Sequence, residues 1–545
     1  MVTKKTFLCI LPIWSLTTLA LANGTVNPTP YIPAQCYTNP VSDNGQVANP
    51  CYVCHTQSIK PNFLNDSDVQ TSFSFTEPAL NNHWTNYFKG FSERAQQISH
   101  KAILDYVREN NLIDQQGNNQ LAHYIEKNID QYDSNQNGRW DGYLPDIYYQ
   151  FDEEGFDLRP DGSETGWRSF AYYPFPGAFM PTNGSSDDVI IRLPSPFRTD
   201  AHGQPSRHIY KTNLAIIEAL IKQQDVPITP TDEKTLDVDL DKDGKLDIAH
   251  IVRYDWAPLE GRFMSYVGQA KQLLASKKLH LAAGLYPEGT EFIHSVRYLD
   301  INQQQTVSMA PRMKELRYAR KTHWMNYYQL EQIAAKELKE RHDFPDRTKQ
   351  IIGSVESGVS IPQGWVYQGF IENAQGNLRP QTLEEHAFCT GCHSGIGVTI
   401  DTTFAFKRKL NSDHFQQGWY HWSQKGLQGV VEPRRQSDGE YEYSFYLKQN
   451  PTGDEYRSNQ EVKQKFYHPD GSPKTEAFTA LHTDISELLL PSAERALALN
   501  KAYKALVEEQ SFTQGRESIL VDGDVVFESV ELDQETGIKE AINFF

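Results

Sequence analysis

The chain has 545 residues, a formal net charge of -18, and aromatic and charged fractions of 12% and 22%. This length is sufficient for several domains, and the composition is that of a globular protein rather than a disordered one. The acidic balance argues against nucleic acid or an anionic membrane surface as a partner, because both require a basic face. Six cysteines are too few for a disulfide framework, so their positions carry more information than their number.

The N-terminus has the pattern of a secretory signal peptide over residues 1–22. Lys4 and Lys5 precede an apolar stretch, and Ala20-Leu21-Ala22 forms a small-x-small cleavage site. Cleavage there predicts an exported, periplasmic protein of net charge -20 with five cysteines, because two lysines and Cys9 are removed. Cys9 lies inside the apolar run and does not follow a small residue at a cleavage point, which predicts no lipid anchor at this position. No other segment is long and apolar enough to cross a membrane, so the mature chain is expected to have no transmembrane segment.

The first cysteine of the mature chain, Cys36, is the odd one of the five. It is compatible with a buried small hydrophobe, an intermolecular disulfide or an iron ligand. The next two cysteines stand in Cys51-Tyr-Val-Cys54-His55, a Cys-x-x-Cys-His motif.

Further along the chain, periodicity predicts mixed secondary structure separated by long irregular stretches, notably residues 157–207. Helical patterns cover residues 92–110, 213–224, 310–341 and 493–510. Strand-like runs cover residues 189–193, 248–254, 292–301, 365–371 and 441–447. Met309 and Met313 fall in the third helical pattern, where spacing of four would place both on one face.

Two acidic loops interrupt this pattern and resemble calcium loops of the EF-hand or dockerin type. Both have oxygen side chains at positions 1, 3, 5 and 9 and glycine at position 6, with a backbone carbonyl expected at position 7. The predicted ligands are Asp133, Asn135, Asn137, Arg139 and Asp141 in the first loop and Asp239, Asp241, Asp243, Lys245 and Asp247 in the second. At position 12 both loops lack the bidentate Glu. Asp146 is the candidate replacement in the first loop, and Asp237 is a candidate additional ligand in the second. A hydrated, Asx-rich turn is the alternative.

The second Cys-x-x-Cys-His motif is Cys389-Thr-Gly-Cys392-His393. This spacing suits a haem, because the two thiols can bond to its two vinyl groups and the adjacent histidine can reach the iron. A single copy of the motif could equally reflect a zinc half-site, a redox dithiol or chance. Two copies in an exported chain favour covalent haem, because a zinc site would have to join pairs more than 330 residues apart.

At these residues the sequence resembles the periplasmic dihaem c-type cytochromes of Gram-negative bacteria. The resemblance implies thioether bonds from Cys51, Cys54, Cys389 and Cys392 and iron ligation by His55 and His393. No methionine follows His393, and the nearest one after His55 is 125 residues away, so neither region matches the ordinary small cytochrome c module. Other histidines offer sixth ligands, and the candidates are His83, His100, His386, His414, His421, His468 and His482. Arg312, Arg317, Arg320 and Lys321 are candidates to face haem propionates, or else form a solvated or ion-paired face.

The expected fold is α+β, helix-rich, with long irregular loops around two covalently bound haems. The expected regions are 23–350, with the first haem and both acidic loops, and 351–545, with the second haem and a C-terminal helix. The expected cofactors are two haem c groups, with calcium in the acidic loops. The favoured function is electron transfer between periplasmic redox partners, for which the acidic charge suggests basic proteins. The alternatives are a dihaem oxidoreductase with one open iron site, acting on peroxide, oxygen or a sulfur compound, and a calcium-stabilised extracellular binding protein.

Overall fold

The computed structural model describes residues 25–41, 45–89, 91–177, 180–451, 459–517, 519–520 and 526–543. The signal peptide, its cleavage site and Cys9 lie outside these described residues. The strands, in chain order, are β1 Phe156–Leu158, β2 Glu164–Phe170, β3 Ser186–Asp187, β4 Val189–Arg192, β5 Val226–Asp232, β6 Ile248–Val252, β7 Glu291–Ile301, β8 Val307–Lys321, β9 Ile352–Ser354, β10 Gly358–Ser360, β11 Trp365–Glu372 and β12 Leu378–Pro380.

Helices surround these strands. They are α1 Ser92–Gln97, α2 His100–Arg108, α3 Gln120–Lys127, α4 Ile129–Tyr132, α5 Arg207–Lys222, α6 Glu233–Leu236, α7 Gln269–Ala275, α8 Tyr327–Asp343, α9 Leu383–Ala387, α10 Cys389–Cys392, α11 Ala405–Arg408, α12 Glu442–Gln449, α13 Gln460–Phe466, α14 Thr475–Thr483, α15 Ser486–Leu489 and α16 Ala493–Glu509.

Ten of the strands form one sheet in the order β1-β2-β4-β7-β8-β11-β10-β9, with β12 paired to β11 and β3 to β7. Every pair in it is antiparallel. β5 and β6 form a separate two-stranded sheet next to the second acidic loop. The expected helix-rich fold arranged around haems is therefore wrong, because a large antiparallel sheet organises the chain. β8 pairs with β11, so the two regions divided at residue 350 share this sheet.

Both faces of the sheet are buried, because successive strand residues point to opposite sides. Phe292 in β7 packs with Trp365 and the apolar face of α5 on one side. Its neighbour Ile293 packs with Leu316 and Phe370 on the other side, near α3. This two-sided burial explains the long apolar runs in the central strands.

The predicted helix over residues 310–341 is wrong in its first half. Residues 307–321 form β8, and the helix begins only at Tyr327. Met309 and Met313 therefore lie on a strand, opposite Leu299 and Arg297 of β7. The strand predicted over residues 441–447 is also wrong, because this segment is α12.

The other predicted elements agree with the structure in type. The helical pattern at residues 92–110 is divided into α1 and α2 by extended backbone at Ile98 and Ser99, and the Ser99 side chain caps α2. The patterns at residues 213–224 and 493–510 correspond to α5 and α16. The remaining strand predictions correspond to β4, β6, β7 and β11.

Candidate functional site: two paired Cys-x-x-Cys-His segments

Each Cys-x-x-Cys-His motif forms a single helical turn. The first motif begins a short 3-10 turn, Cys51–Val53, and the His55 N–H donates to the Cys51 carbonyl at 2.9 Å. The second motif forms α10, and the His393 N–H donates to the Cys389 carbonyl at 2.9 Å. Side chains three apart lie on the same face of such a turn, so the two thiols of each motif share a face. No disulfide bond links the cysteines of the described residues.

The fold brings the two motifs together although they are far apart in sequence. The segment that follows the second motif runs along the first motif, where the Val398 N–H donates to the Cys54 carbonyl at 3.2 Å. The Asn62 side-chain amide donates to the Ile396 carbonyl at 2.6 Å. Gly397 lies so close to the first motif that a Cβ atom there would collide with the Thr56 carbonyl. The two motifs are therefore neighbouring parts of one region.

The first motif histidine is oriented by a carboxylate. His55 Nδ1 lies 2.7 Å from Asp66 Oδ2, and the other oxygen of Asp66 accepts the Gly397 N–H at 2.8 Å. One carboxylate thus fixes the imidazole of the first motif and anchors the segment after the second motif.

The second motif histidine is oriented by a backbone carbonyl. His393 Nδ1 lies 2.9 Å from the Thr402 carbonyl oxygen, and its ring stacks on Tyr367 at 4.4 Å between centroids. Asp401 and Thr402 both have positive φ angles, of 50° and 61°, an uncommon conformation for residues other than glycine. Asp401 accepts a 2.7 Å hydrogen bond from Lys321 Nζ, and both side chains are fully buried. This ion pair fixes the loop that orients His393.

The two imidazoles therefore share one arrangement, in which Nδ1 is engaged and Nε2 is left for another partner. Within the part of the chain that the structure describes, neither Nε2 atom has a hydrogen-bond partner. Histidines that bind metals through Nε2 typically have Nδ1 engaged in this way, which fixes the tautomer and the ring orientation.

Burial controls the protonation of the second motif. It lowers the pKa of His393 to about 4, to which His294 and Arg317 contribute, so the imidazole is neutral at pH 7. Burial also raises the pKa of Cys392 to about 11 and raises that of Cys389. Both thiols are therefore protonated near neutral pH, unlike the low-pKa thiols of disulfide oxidoreductases.

The basic residues predicted to face haem propionates lie on β8 and mostly have protein partners. Arg317 and Arg516 contact the buried Glu315 at 2.8 and 3.4 Å. Burial opposes ionisation of Glu315, but these arginines hold its pKa at about 2. Arg312 pairs with Glu372 at 3.1 Å, and Lys321 pairs with Asp401.

Two histidines considered as sixth ligands are bonded within the protein. His386 is fully buried, and its Nε2 accepts the Gly369 N–H at 2.8 Å. His421 Nε2 lies 3.0 Å from Asp188 Oδ2. Cys36 is half-buried on the short turn Ala34–Tyr37.

The first acidic loop is closed by its own side chains. Asp133 accepts the Gly138 N–H at 2.6 Å, and Asp141 accepts from Asn135 at 3.1 Å and from Asn137. Arg139 Nε also pairs with Asp141 at 2.8 Å. Asp146, the candidate replacement at position 12, instead bonds Trp167 at 2.9 Å.

The second acidic loop lies between α6 and β6, and Glu233 of α6 adds a carboxylate that the sequence pattern did not indicate. The ligand atoms of Glu233, Asp239 and Asp241 lie within 4.8 Å of one another, the only such group of three acidic, histidine or cysteine residues in the described part of the chain. Glu233 is fully buried and accepts the Asp247 N–H at 3.1 Å. Asp243 pairs with Lys245 at 3.4 Å. Asp237 pairs with Lys271 at 2.6 Å, outside the loop.

Comparison with known proteins places the chain in a family. The model of a family described as "-like lipoprotein" matches residues 20–480, a span that includes both motifs and both acidic loops. The chain belongs to this lipoprotein family. It is 30% identical over 568 aligned positions to a protein of Aquifex aeolicus (strain VF5) named an uncharacterized lipoprotein, covering 94% of this chain and 91% of that protein. No solved structure matches the chain.

These findings overturn the predicted family and function. One lipoprotein family model runs through both motifs, and neither it nor the Aquifex relative is described as a cytochrome. The assignment as a dihaem c-type cytochrome that transfers electrons is therefore wrong. The two alternatives, a dihaem oxidoreductase and a calcium-stabilised binding protein, are also unsupported. The same applies to the expected cofactors, haem c and calcium, and to the expected redox partners.

The predicted export agrees with the family, since lipoproteins are exported proteins. Among the described residues, none of the helices combines the length and apolar character that crossing a bilayer requires. The family description nevertheless opposes the expectation that the chain has no lipid anchor.

Sequence reasoning identified the motif cysteines and histidines but missed the residues that orient them. These are Asp66, Thr402 and Tyr367, together with the Lys321–Asp401 pair behind Thr402. Asp66 and Thr402 follow their histidines by 11 and 9 residues, a spacing that no motif marks.

Proposed function

We propose that this lipoprotein binds transition-metal ions at its two neighbouring Cys-x-x-Cys-His segments, on the periplasmic side of the membrane. One observation carries the proposal: in both segments Nδ1 of the histidine is engaged, by Asp66 for His55 and by the Thr402 carbonyl for His393. An imidazole oriented in this way is prepared to bind a metal through Nε2.

The donor types support a transition metal rather than a hard cation. Each segment offers two thiols and one imidazole, ligands that suit iron, copper or zinc better than calcium or magnesium. No three donor atoms of the two segments lie within 4.8 Å of one another in the described residues. This holds within each segment as well as between the two, so the only preset ligand of each segment is its histidine.

Protonation links metal binding to pH. The thiols of Cys389 and Cys392 are protonated at neutral pH, and a metal that binds sulfur must displace these protons. The imidazole of His393 is already neutral, so a metal can bind it without displacing a proton.

Residues before Cys36 make contacts within the fold, and these contacts bear on whether Cys36 carries a lipid. The Asn27 N–H donates to Glu384 at 2.6 Å, and Trp84 Nε1 donates to the Ile32 carbonyl at 2.7 Å. A lipoprotein is cleaved immediately before its acylated cysteine, so acylation of Cys36 would remove these contacts. We infer that Cys36 is not the acylated residue. Incorporation of labelled palmitate that is lost in Cys36→Ser alone would contradict this inference.

The test of metal binding is elemental analysis of the full chain purified from the cell envelope. We expect about one equivalent of iron, copper or zinc per segment, in line with one preset histidine in each. His55→Ala and His393→Ala should each lose the metal of their own segment, whereas His468→Ala, at an exposed histidine, should lose none. Metal far below stoichiometry, or equal loss in all three variants, would overturn the proposal.

A further inference from the structure

A cavity of about 210 Å³ lies beside the first motif. Tyr52, Val53 and Thr56 form its wall on the motif side, and Val398 and Phe404, from the region after the second motif, form another part. The rest comes from residues 173–176, from the end of α5, from α11 and the residues after it, and from residues 433–442.

The lining of this cavity is basic although the protein is acidic. The cations that line it are Lys222, Lys407, Arg408, Lys409, Arg434 and Arg435, and Glu442 is the only lining carboxylate among the residues that the structure describes. In a chain with a net charge of -18, this is a local reversal of sign.

Three carboxylates of the described residues form ion pairs with these cations. Glu218 lies 2.8 Å from Lys222 and 3.1 Å from Lys409. Glu442 pairs with Arg408 at 2.7 Å, and Asp438 with Arg435 at 3.1 Å. Among the described residues, these six cations are accompanied by three carboxylates, so basic side chains outnumber acidic ones around the cavity.

The walls between these charges are aromatic. Tyr52 and Tyr173 are buried, and Phe175 and Phe404 stack edge to face at 4.9 Å between centroids. Small-molecule sites commonly combine such apolar walls with a few well-placed polar groups. An inorganic anion would leave the aromatic walls without contacts.

We propose that this cavity binds a small organic anion, in which a carboxylate faces the basic residues and an apolar, aromatic body lies against the tyrosine and phenylalanine side chains. The cations supply charge-assisted hydrogen bonds to the carboxylate. The rings supply the area that excludes water.

This inference does not rest on metal binding. The cavity residues are not motif cysteines or histidines, so a chain that failed to bind metal could still bind the anion. The two proposals therefore fail independently, one by elemental analysis and the other by ligand titration.

The test is isothermal titration calorimetry of the full chain with three probes. They are 1-naphthoate, the neutral analogue 1-naphthalenemethanol and inorganic phosphate. We expect 1-naphthoate to bind and the affinity of both other probes to be lower by a factor of about ten or more. The alcohol lacks the carboxylate, and phosphate lacks the aromatic body. Equal affinity for the neutral analogue would overturn the role of the charges, and equal affinity for phosphate would overturn the role of the aromatic walls.

Matched variants locate the binding. Lys407→Gln and Arg434→Gln each remove one positive charge from the cavity and should weaken 1-naphthoate binding about tenfold. Lys463→Gln removes an exposed lysine of α13 outside the cavity and should leave binding unchanged. Circular dichroism should be the same for all four chains. Equal weakening in all three variants, or no weakening in the two cavity variants, would overturn the proposal.

Discussion

Asp66 connects the two halves of the candidate site through a single side chain. One carboxylate oxygen holds His55 Nδ1 at 2.7 Å, and the other accepts the Gly397 N–H at 2.8 Å. Residues that orient a ligand imidazole typically affect metal affinity without touching the metal.

We therefore expect Asp66→Asn to weaken metal binding at the first segment about 10- to 100-fold. The amide has the size of the carboxylate but lacks the charge that favours the correct imidazole tautomer. Competition with a chelator measures the change, and Asp68→Asn, at an exposed carboxylate two residues away, is the control. Equal metal affinity in the Asp66→Asn and wild-type chains would show that the His55–Asp66 contact is structural only.

Glu432 makes stability depend on pH. Burial raises its pKa to about 7, from an ordinary value of 4.5, although Ser444 donates to it from its N–H and its hydroxyl. Between pH 4.5 and about 7 the unfolded chain ionises this group while the folded chain keeps it protonated. The folded state therefore loses stability as pH rises through this window.

We expect Glu432→Gln to abolish this loss of stability. At pH 8 the free energy of unfolding of the variant should exceed that of the wild type by about 2 to 3 kcal/mol. Denaturant unfolding at pH 5 and pH 8 measures both effects, with Glu476→Gln, at an exposed residue of α14, as the control. Identical pH profiles for the Glu432→Gln and wild-type chains would contradict the assignment.

At the scale of elements, the correct strand predictions depended on dense β-branched and aromatic runs, as in β4, β7 and β11. β8 was missed because its apolar residues recur at spacings of three and four, and because most of its charged residues are buried, several of them in ion pairs. Pro311 was the usable signal, since proline disfavours a helix interior and occurs in strands at irregular pairing. The β7–β8 register shifts near this position, between Arg297 and Leu299.

The candidate site was predictable only where its residues form a local pattern. The cysteines and histidines stand in a local motif that is visible in the sequence. Glu233, Asp66 and Thr402 depend on how separate segments are brought together, which no local pattern records. The meeting of the two motifs was unpredictable on the same grounds.

The contact between the two motifs can be tested at Gly397. A Cβ atom at this position would collide with the Thr56 carbonyl and crowd Asp66, so Gly397→Ala should separate the segment after the second motif from the first motif. We expect a lower melting temperature and weaker metal binding at His55. Gly426→Ala is the control, because a Cβ there comes no closer than 3.5 Å to another atom. A fully stable Gly397→Ala chain with wild-type metal content would contradict this packing.

At the scale of the whole molecule, the last described segment, residues 526–543, contacts a side chain that supports the first motif. The buried Gln70 side chain donates to the His55 carbonyl at 2.6 Å and to the Ile542 carbonyl at 2.8 Å. It also accepts the Ile542 N–H at 2.7 Å. Residues 526–543 therefore support the first motif, although they lie more than 470 positions away from it in the sequence.

Removal of residues 526–545 should consequently destabilise the first segment more than the second. We expect the truncated chain to lose the metal held by His55 and to retain the metal held by His393. Elemental analysis of the truncated chain, alone and combined with His393→Ala, distinguishes the two sites. Loss of metal from the second segment alone would contradict the proposed support.

The central claim is that His55 and His393 bind transition metals through Nε2. X-ray absorption spectroscopy at the metal edge of the full chain, purified from the cell envelope, tests it most directly. We expect imidazole nitrogen in the coordination shell, with a signal that falls in His55→Ala and His393→Ala and is absent in the double variant. A coordination shell without imidazole nitrogen, or one that is unchanged in the double variant, would contradict the claim.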